Sequence, residues 1–72
     1  MISEEQKARL LKEKDELSER IEKLDVFIES QSFLSLSDEM QFLLEAQHRV
    51  MQQYESILFR RMTLLGVFEV TK

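Results

Sequence analysis

The sequence predicts an all-α protein, an antiparallel, coiled-coil-like two-helix hairpin that assembles into an oligomeric helical bundle. Three observations predict it. The 72 residues hold no proline and one glycine, so nothing interrupts a long helix before Gly66. Apolar residues recur at helical spacing through two long stretches. Between them lies Ser30-Gln31-Ser32-Phe33-Leu34-Ser35-Leu36-Ser37, which carries no charge. All of this reads as one domain over residues 1–72.

The first element is a helix over residues 3–30. Ser3 can accept from a free backbone N–H, and Gln6 stands three residues on, where a capping box requires it. Glu4 and Glu5 suit the positive end of the helix. Glu5/Arg9, Glu16/Arg20 and Glu19/Lys23 are acid-before-base pairs at i,i+4, each contributing about 0.3 kcal/mol. Leu10, Leu17, Ile21, Leu24 and Ile28 fall on heptad a and d sites, and Lys7 and Lys14 fill the remaining seam positions. The seam is therefore apolar toward Ile28 and wet toward the N-terminus.

Residues 31–37 form the turn, with Phe33, Leu34 and Leu36 expected to plug the closed end. Ser37, followed by Asp38 and Glu39, starts a second helix over residues 38–65, roughly 40 Å long. Gly66 supplies its stop. Leu43, Val50, Ile57 and Leu64 recur every seven residues, and Leu44, Met51, Leu58 and Leu65 recur beside them. Met40, Gln47, Tyr54 and Arg61 form a third line of the same period. So wide an apolar face exceeds what one partner helix covers. The first helix covers one ridge and a second copy meets the other, so those eight aliphatic and methionine residues are the candidate oligomer interface. The short tail, residues 66–72, is β-prone and could cap a bundle end, pair with a neighbour or fray.

Composition removes several function classes. There is no cysteine, hence no disulfide framework, thiolate metal site or cysteine nucleophile. One glycine cannot make a glycine-rich phosphate loop. Fourteen acids against ten bases give a net charge of −4, a poor balance for duplex nucleic-acid binding. No stretch reaches the ~18 apolar residues of a membrane span. The acidic start Ser3-Glu4-Glu5 is unlike a secretion signal, which places the protein in the cytoplasm.

No catalytic constellation is present, and neither a cofactor nor a metal is expected. His48 is the single histidine, and Glu45 stands three residues before it in the carboxylate–imidazole spacing of di-metal bundles. One copy without a facing glutamate reads instead as a solvated or interfacial histidine. The acids Glu13, Asp15, Glu16, Glu19 and Glu22 read as a solvated helix face rather than a cation site.

One cluster has a ligand logic. Pairing the helices about residues 33–34 brings Lys14 near Tyr54, and Lys7 near Arg60 and Arg61. Lys7, Lys14 and Arg61 occupy seam positions where an apolar side chain would stabilise better. Cations placed there suit an anion, Tyr54 offers a stacking face, and Gln47 continues the line with an amide. Duplicated across a symmetry axis, the set suits a symmetric, phosphate-bearing small molecule. The plain alternative is that long cations snorkel out of the seam to pair with Glu4 or Glu5, or that a polar seam residue fixes register.

The stretch Glu19-Arg20-Ile21-Glu22-Lys23-Leu24 and then Phe27-Ile28-Glu29-Ser30 resembles the first helix of small phage and prophage helical-hairpin proteins, crAss-like phages among their sources. The likeness continues through Leu36-Ser37-Asp38-Glu39, Leu43-Leu44, Gln47, Met51, Tyr54, Ile57-Leu58 and Arg60-Arg61, covering about residues 8–65. This resemblance implies a phage accessory protein acting inside a bacterium. Small phage proteins of this kind often counter host defence, some as oligomeric sponges for cyclic nucleotide signals. The turn Phe33-Leu34-Ser35-Leu36 departs from the Tyr-Arg-x-Leu-like turn of such sponges, so that role is implied by size and architecture.

The function expected is therefore non-enzymatic: self-association, with binding or sequestration of a host-defence component, either a protein or an anionic cyclic nucleotide. The alternatives are a purely structural oligomer and an acidic mimic of nucleic acid.

Overall fold

A computed structural model describes residues 3–67, and within them the chain is two long helices joined by one helical turn. Helix α1 spans Glu4–Ile28, α2 Gln31–Leu34 and α3 Asp38–Leu65. Each start is set by a serine. Ser3 Oγ accepts from Gln6 N at 3.1 Å while the Gln6 side chain accepts from Ser3 N at 2.9 Å, the reciprocal pair read from the sequence. Ser37 Oγ accepts from Met40 N at 3.1 Å. Gly66 ends α3 in the left-handed region at φ 68°, and Val67 N donates to the Met62 carbonyl at 2.9 Å. The expectation for the tail beyond Val67 lies outside the described residues.

The connection holds more order than a plain turn. Ser30 does not end α1; it caps α2, accepting from Phe33 N and donating to the Phe27 carbonyl at 2.6 Å. That short helix drives Phe33 inward, where its ring meets Phe27 edge-on with centroids 6.2 Å apart. Leu36 is half-buried, but Leu34 points to solvent and does not join the plug. A one-turn helix can bury only one face, and Phe33 has taken it. Gln41 Nε2 then clamps the connection, donating to the carbonyls of Leu34 and Leu36.

Between α1 and α3 runs a single seam. From α1 it takes Lys7, Leu10, Lys14, Leu17, Ile21, Leu24 and Ile28, the heptad positions read from the sequence. From α3 it takes Gln41, Leu44, His48, Met51, Glu55, Leu58, Met62 and Leu65. The best-buried cluster lies toward the open end: Leu10, Leu17, Leu58, Met62 and Val67, with Leu11, Ile21, Met51 and Leu65 against it. No helix among the described residues is long and apolar enough to cross a membrane.

One part of the interface expectation is corrected here. Leu44, Met51, Leu58 and Leu65 are not available to another copy, because α1 covers them, and Leu58 is 0% exposed within the single chain. Leu43, Val50, Ile57 and Leu64 remain outside, at 52%, 61%, 55% and 87% exposure.

Candidate functional site

The two helices meet along two flanks with different chemistry. On one flank Ser18 donates to the Glu55 carboxylate, and Asp25 Oδ1 lies 3.5 Å from His48 Nε2. Ser18 and Asp25 are one heptad apart on α1, as are Glu55 and His48 on α3. The same step extended toward the open end aligns Leu11 with Met62, the first packed against the core cluster and the second within it. A ladder thus runs down this flank, apolar at the open end and polar near the closed end. The histidine ring is largely enclosed, its Nε2 has no hydrogen-bond partner, and Asp25, Glu45 and Arg49 surround the shallow groove beside it. Among the described residues no group of three or more histidine or acidic side chains converges on a point where a metal could sit.

The other flank carries the aromatic and cationic groups. The Tyr54 hydroxyl donates to the Glu13 carboxylate. Two turns nearer the open end, Arg61 faces Gln6, Arg9, Leu10 and Glu13 across a groove of about 250 Å³. Arg9 also lies 3.7 Å from Glu5. The groove therefore joins two guanidinium groups, one carboxylate and one amide over an apolar floor at Leu10, with the Tyr54 ring just beyond.

The expected cation cluster is divided between these flanks. Tyr54 and Arg61 lie on one flank, two turns apart, each beside Glu13. Lys14 does not reach Tyr54; it lies in the groove of Gln52, Glu55, Ser56 and Phe59 on the opposite flank. Lys7 does not reach Arg61; it lies beside Ala8, Leu11, Gly66 and Val67, and its Nζ snorkels to Glu4 Oε2 at 3.4 Å. Gln47 is exposed one heptad before Tyr54, its amide 3.8 Å from Met51 Sδ. Arg60 borders a shallow apolar patch with Phe59, Thr63 and Leu64.

The pairing about residues 33–34 is kept by Tyr54 and Glu13, but it does not bring Lys14 or Lys7 to the expected partners, for two physical reasons. Helical side chains lean toward their own N-terminus, so in an antiparallel pair the partners that meet are drawn from later in both helices. Ser18/Glu55 and Asp25/His48 show that shift. Adjacent residues also sit about 100° apart around a helix, so Glu13 takes the place beside Tyr54 and Lys14 turns to the far side. From the sequence, Gln6, Arg9 and Glu13 take other roles, in the cap, an i,i+4 pair and a solvated face, although each stands one residue before a seam position of α1 and so had to border the seam.

Fold and grooves together define an all-α hairpin whose second helix carries two seams, one filled by its own first helix and one facing outward beside an arginine-lined groove. The chain belongs to the Sequestin family, whose family model matches residues 4–64, nearly the whole of both long helices. No curated protein and no solved structure matches the chain. The family name denotes sequestration.

Proposed function

We propose that this protein is a phage accessory protein that works in the bacterial cytoplasm as a self-associated hairpin, sequestering an anionic cyclic nucleotide of host defence without converting it. The observation that carries this reading is the grouping of Tyr54, Arg61 and Arg9 on one flank at the open end. Guanidinium groups take phosphate oxygens in forked pairs, and a tyrosine face takes a base. Glu13 holds the Tyr54 hydroxyl and so fixes the angle at which that ring is offered. The outward seam supplies the surface for self-association, and membership of a family named for sequestration supports holding over catalysis.

The test is thermal melting and calorimetric titration against a panel of cyclic mono- and dinucleotides. A ligand present at 100 times its dissociation constant raises stability by about 2.7 kcal/mol. Arg61→Ala and Tyr54→Ala should each abolish the shift while the helical circular dichroism of the free protein is retained. A panel in which no nucleotide moves the melt overturns the ligand and leaves the purely structural oligomer.

A further inference from the structure

The outward seam of α3 repeats at alternating spacings of three and four residues from Met40 to Leu64, a span of about 36 Å. One of its lines is aliphatic: Leu43, Val50, Ile57 and Leu64. The other starts at Met40 and continues with Gln47, Tyr54 and Arg61. A seam of this kind accepts another helix in only a few registers, and those registers differ in what meets Arg61. If two copies of α3 pack in parallel, every residue faces itself, and two Arg61 guanidinium groups share one desolvated layer. If they pack antiparallel about a two-fold axis level with Gln52, every member of the polar line faces a member of the aliphatic line. Arg61 then lies against the partner's Leu43, Gln47 against the partner's Ile57, and Tyr54 against the partner's Val50. No other antiparallel register uses the whole seam.

Charge points the same way. Within the described residues Arg60, Arg61, Asp38 and Glu39 make no ion pair in their own chain. The antiparallel register sets Arg61 four residues, about 6 Å along the axis, from the level of the partner's Glu39, and Arg60 six residues, about 9 Å, from the level of the partner's Asp38. It does so twice, by symmetry.

We propose that the occupant of the outward seam is a second copy of this chain, packed antiparallel through α3 about a two-fold axis level with Gln52 to give a four-helix bundle with its connections at opposite ends. This rests on the self-association half of the functional reading and is independent of the ligand. It sets one groove of Arg9 and Arg61 at each end of the bundle, each walled by the start of the partner's α3, so two ligand sites per dimer follow.

The natural chain has no cysteine, which makes disulfide trapping clean. Gln47→Cys and Ile57→Cys are prepared separately and oxidised alone and mixed. A disulfide needs Cα atoms about 4.4–6.8 Å apart. The antiparallel register sets each cysteine roughly 15 Å along the axis from its own copy, so single variants stay uncrosslinked and the mixture crosslinks. Crosslinking of either variant alone shows a parallel dimer and overturns the register. No crosslinking in any sample overturns the seam as the interface. Light scattering on the native chain should give twice the chain mass, and Val50→Lys should halve it while the helical circular dichroism is retained. A single-chain mass for the native protein overturns both this proposal and self-association, whereas a nucleotide-induced melting shift in that same monomer would leave the ligand reading standing.

Discussion

The two seams of α3 lie one residue out of phase and are matched in composition. The inner one has Leu44, Met51, Leu58, Met62 and Leu65 with Gln41, His48 and Glu55; the outer one has Met40, Leu43, Val50, Ile57 and Leu64 with Gln47, Tyr54 and Arg61. Apolar content therefore does not decide which of them closes on α1. The polar members decide it. Gln41 finds the carbonyls of the connection and Glu55 finds Ser18, while His48 stays near Asp25 without a hydrogen bond at Nε2. Packing the outer seam on α1 would have turned Arg61 into the same seam as Lys7 and Lys14. A buried polar group without a partner loses on the order of 1–3 kcal/mol, about as much as a buried leucine gains, so partner matching outweighs a tie in greasy surface.

The largest effect that tests this contrast comes from one truncation on each seam. Leu58→Ala opens a cavity in the filled seam and should destabilise by about 3 kcal/mol in urea melts at any protein concentration. Its neighbour Ile57, 55% exposed in the single chain, should behave differently. Ile57→Ala should change little at low concentration and should weaken the rise of melting temperature with concentration that an assembling protein shows. Equal, concentration-independent losses at the two sites would mean that the seams do not differ in kind.

The polar ladder gives the next effect. Ser18→Ala removes the donor that Glu55 uses and should destabilise by about 1 kcal/mol, because a half-buried carboxylate is left to find water. Replacing both partners with leucine should recover that loss. A double-mutant cycle across Ser18 and Glu55 reads the coupling directly, and a coupling indistinguishable from zero would remove polar matching as the reason the inner seam closes.

Much of this was legible in the chain before its shape was known. Helix starts at Ser3 and Ser37 and the stop at Gly66 could be read because capping is local chemistry, settled within three or four residues. The α1 seam could be read because its period is long and uninterrupted. Three things were not legible. The turn at Gln31–Leu34 depends on Ser30 choosing to cap forward rather than extend α1, a choice made by the burial of Phe33. Register depends on the lean of side chains, which residue numbers do not carry. The assignment of Lys14 and Tyr54 to opposite flanks depends on a rotation of one residue, the smallest step a helix allows. The groove was thus half visible: Tyr54 and Arg61 on the period of α3, but not Arg9, Gln6 or Glu13, whose only sign was standing next to the seam.

The smallest predicted effect sharpens the same comparison from the α1 side. Lys14 and Lys7 both occupy the filled seam, yet they differ. Lys7 escapes to Glu4 at the surface, whereas Lys14 is half-buried between the helices beside Gln52, Glu55, Ser56 and Phe59. Lys14→Leu should therefore stabilise by about 1 kcal/mol through added apolar burial, less whatever its ammonium gives Glu55. Lys7→Leu should gain only a few tenths, since its stem already covers the seam and its exposed ion pair is worth little. Because Lys14 lies across the hairpin from Tyr54 and Arg61, Lys14→Leu should also leave any nucleotide-induced melting shift intact. A gain in stability together with a lost shift would put Lys14 back in the ligand site, and would require the second copy to bring it there.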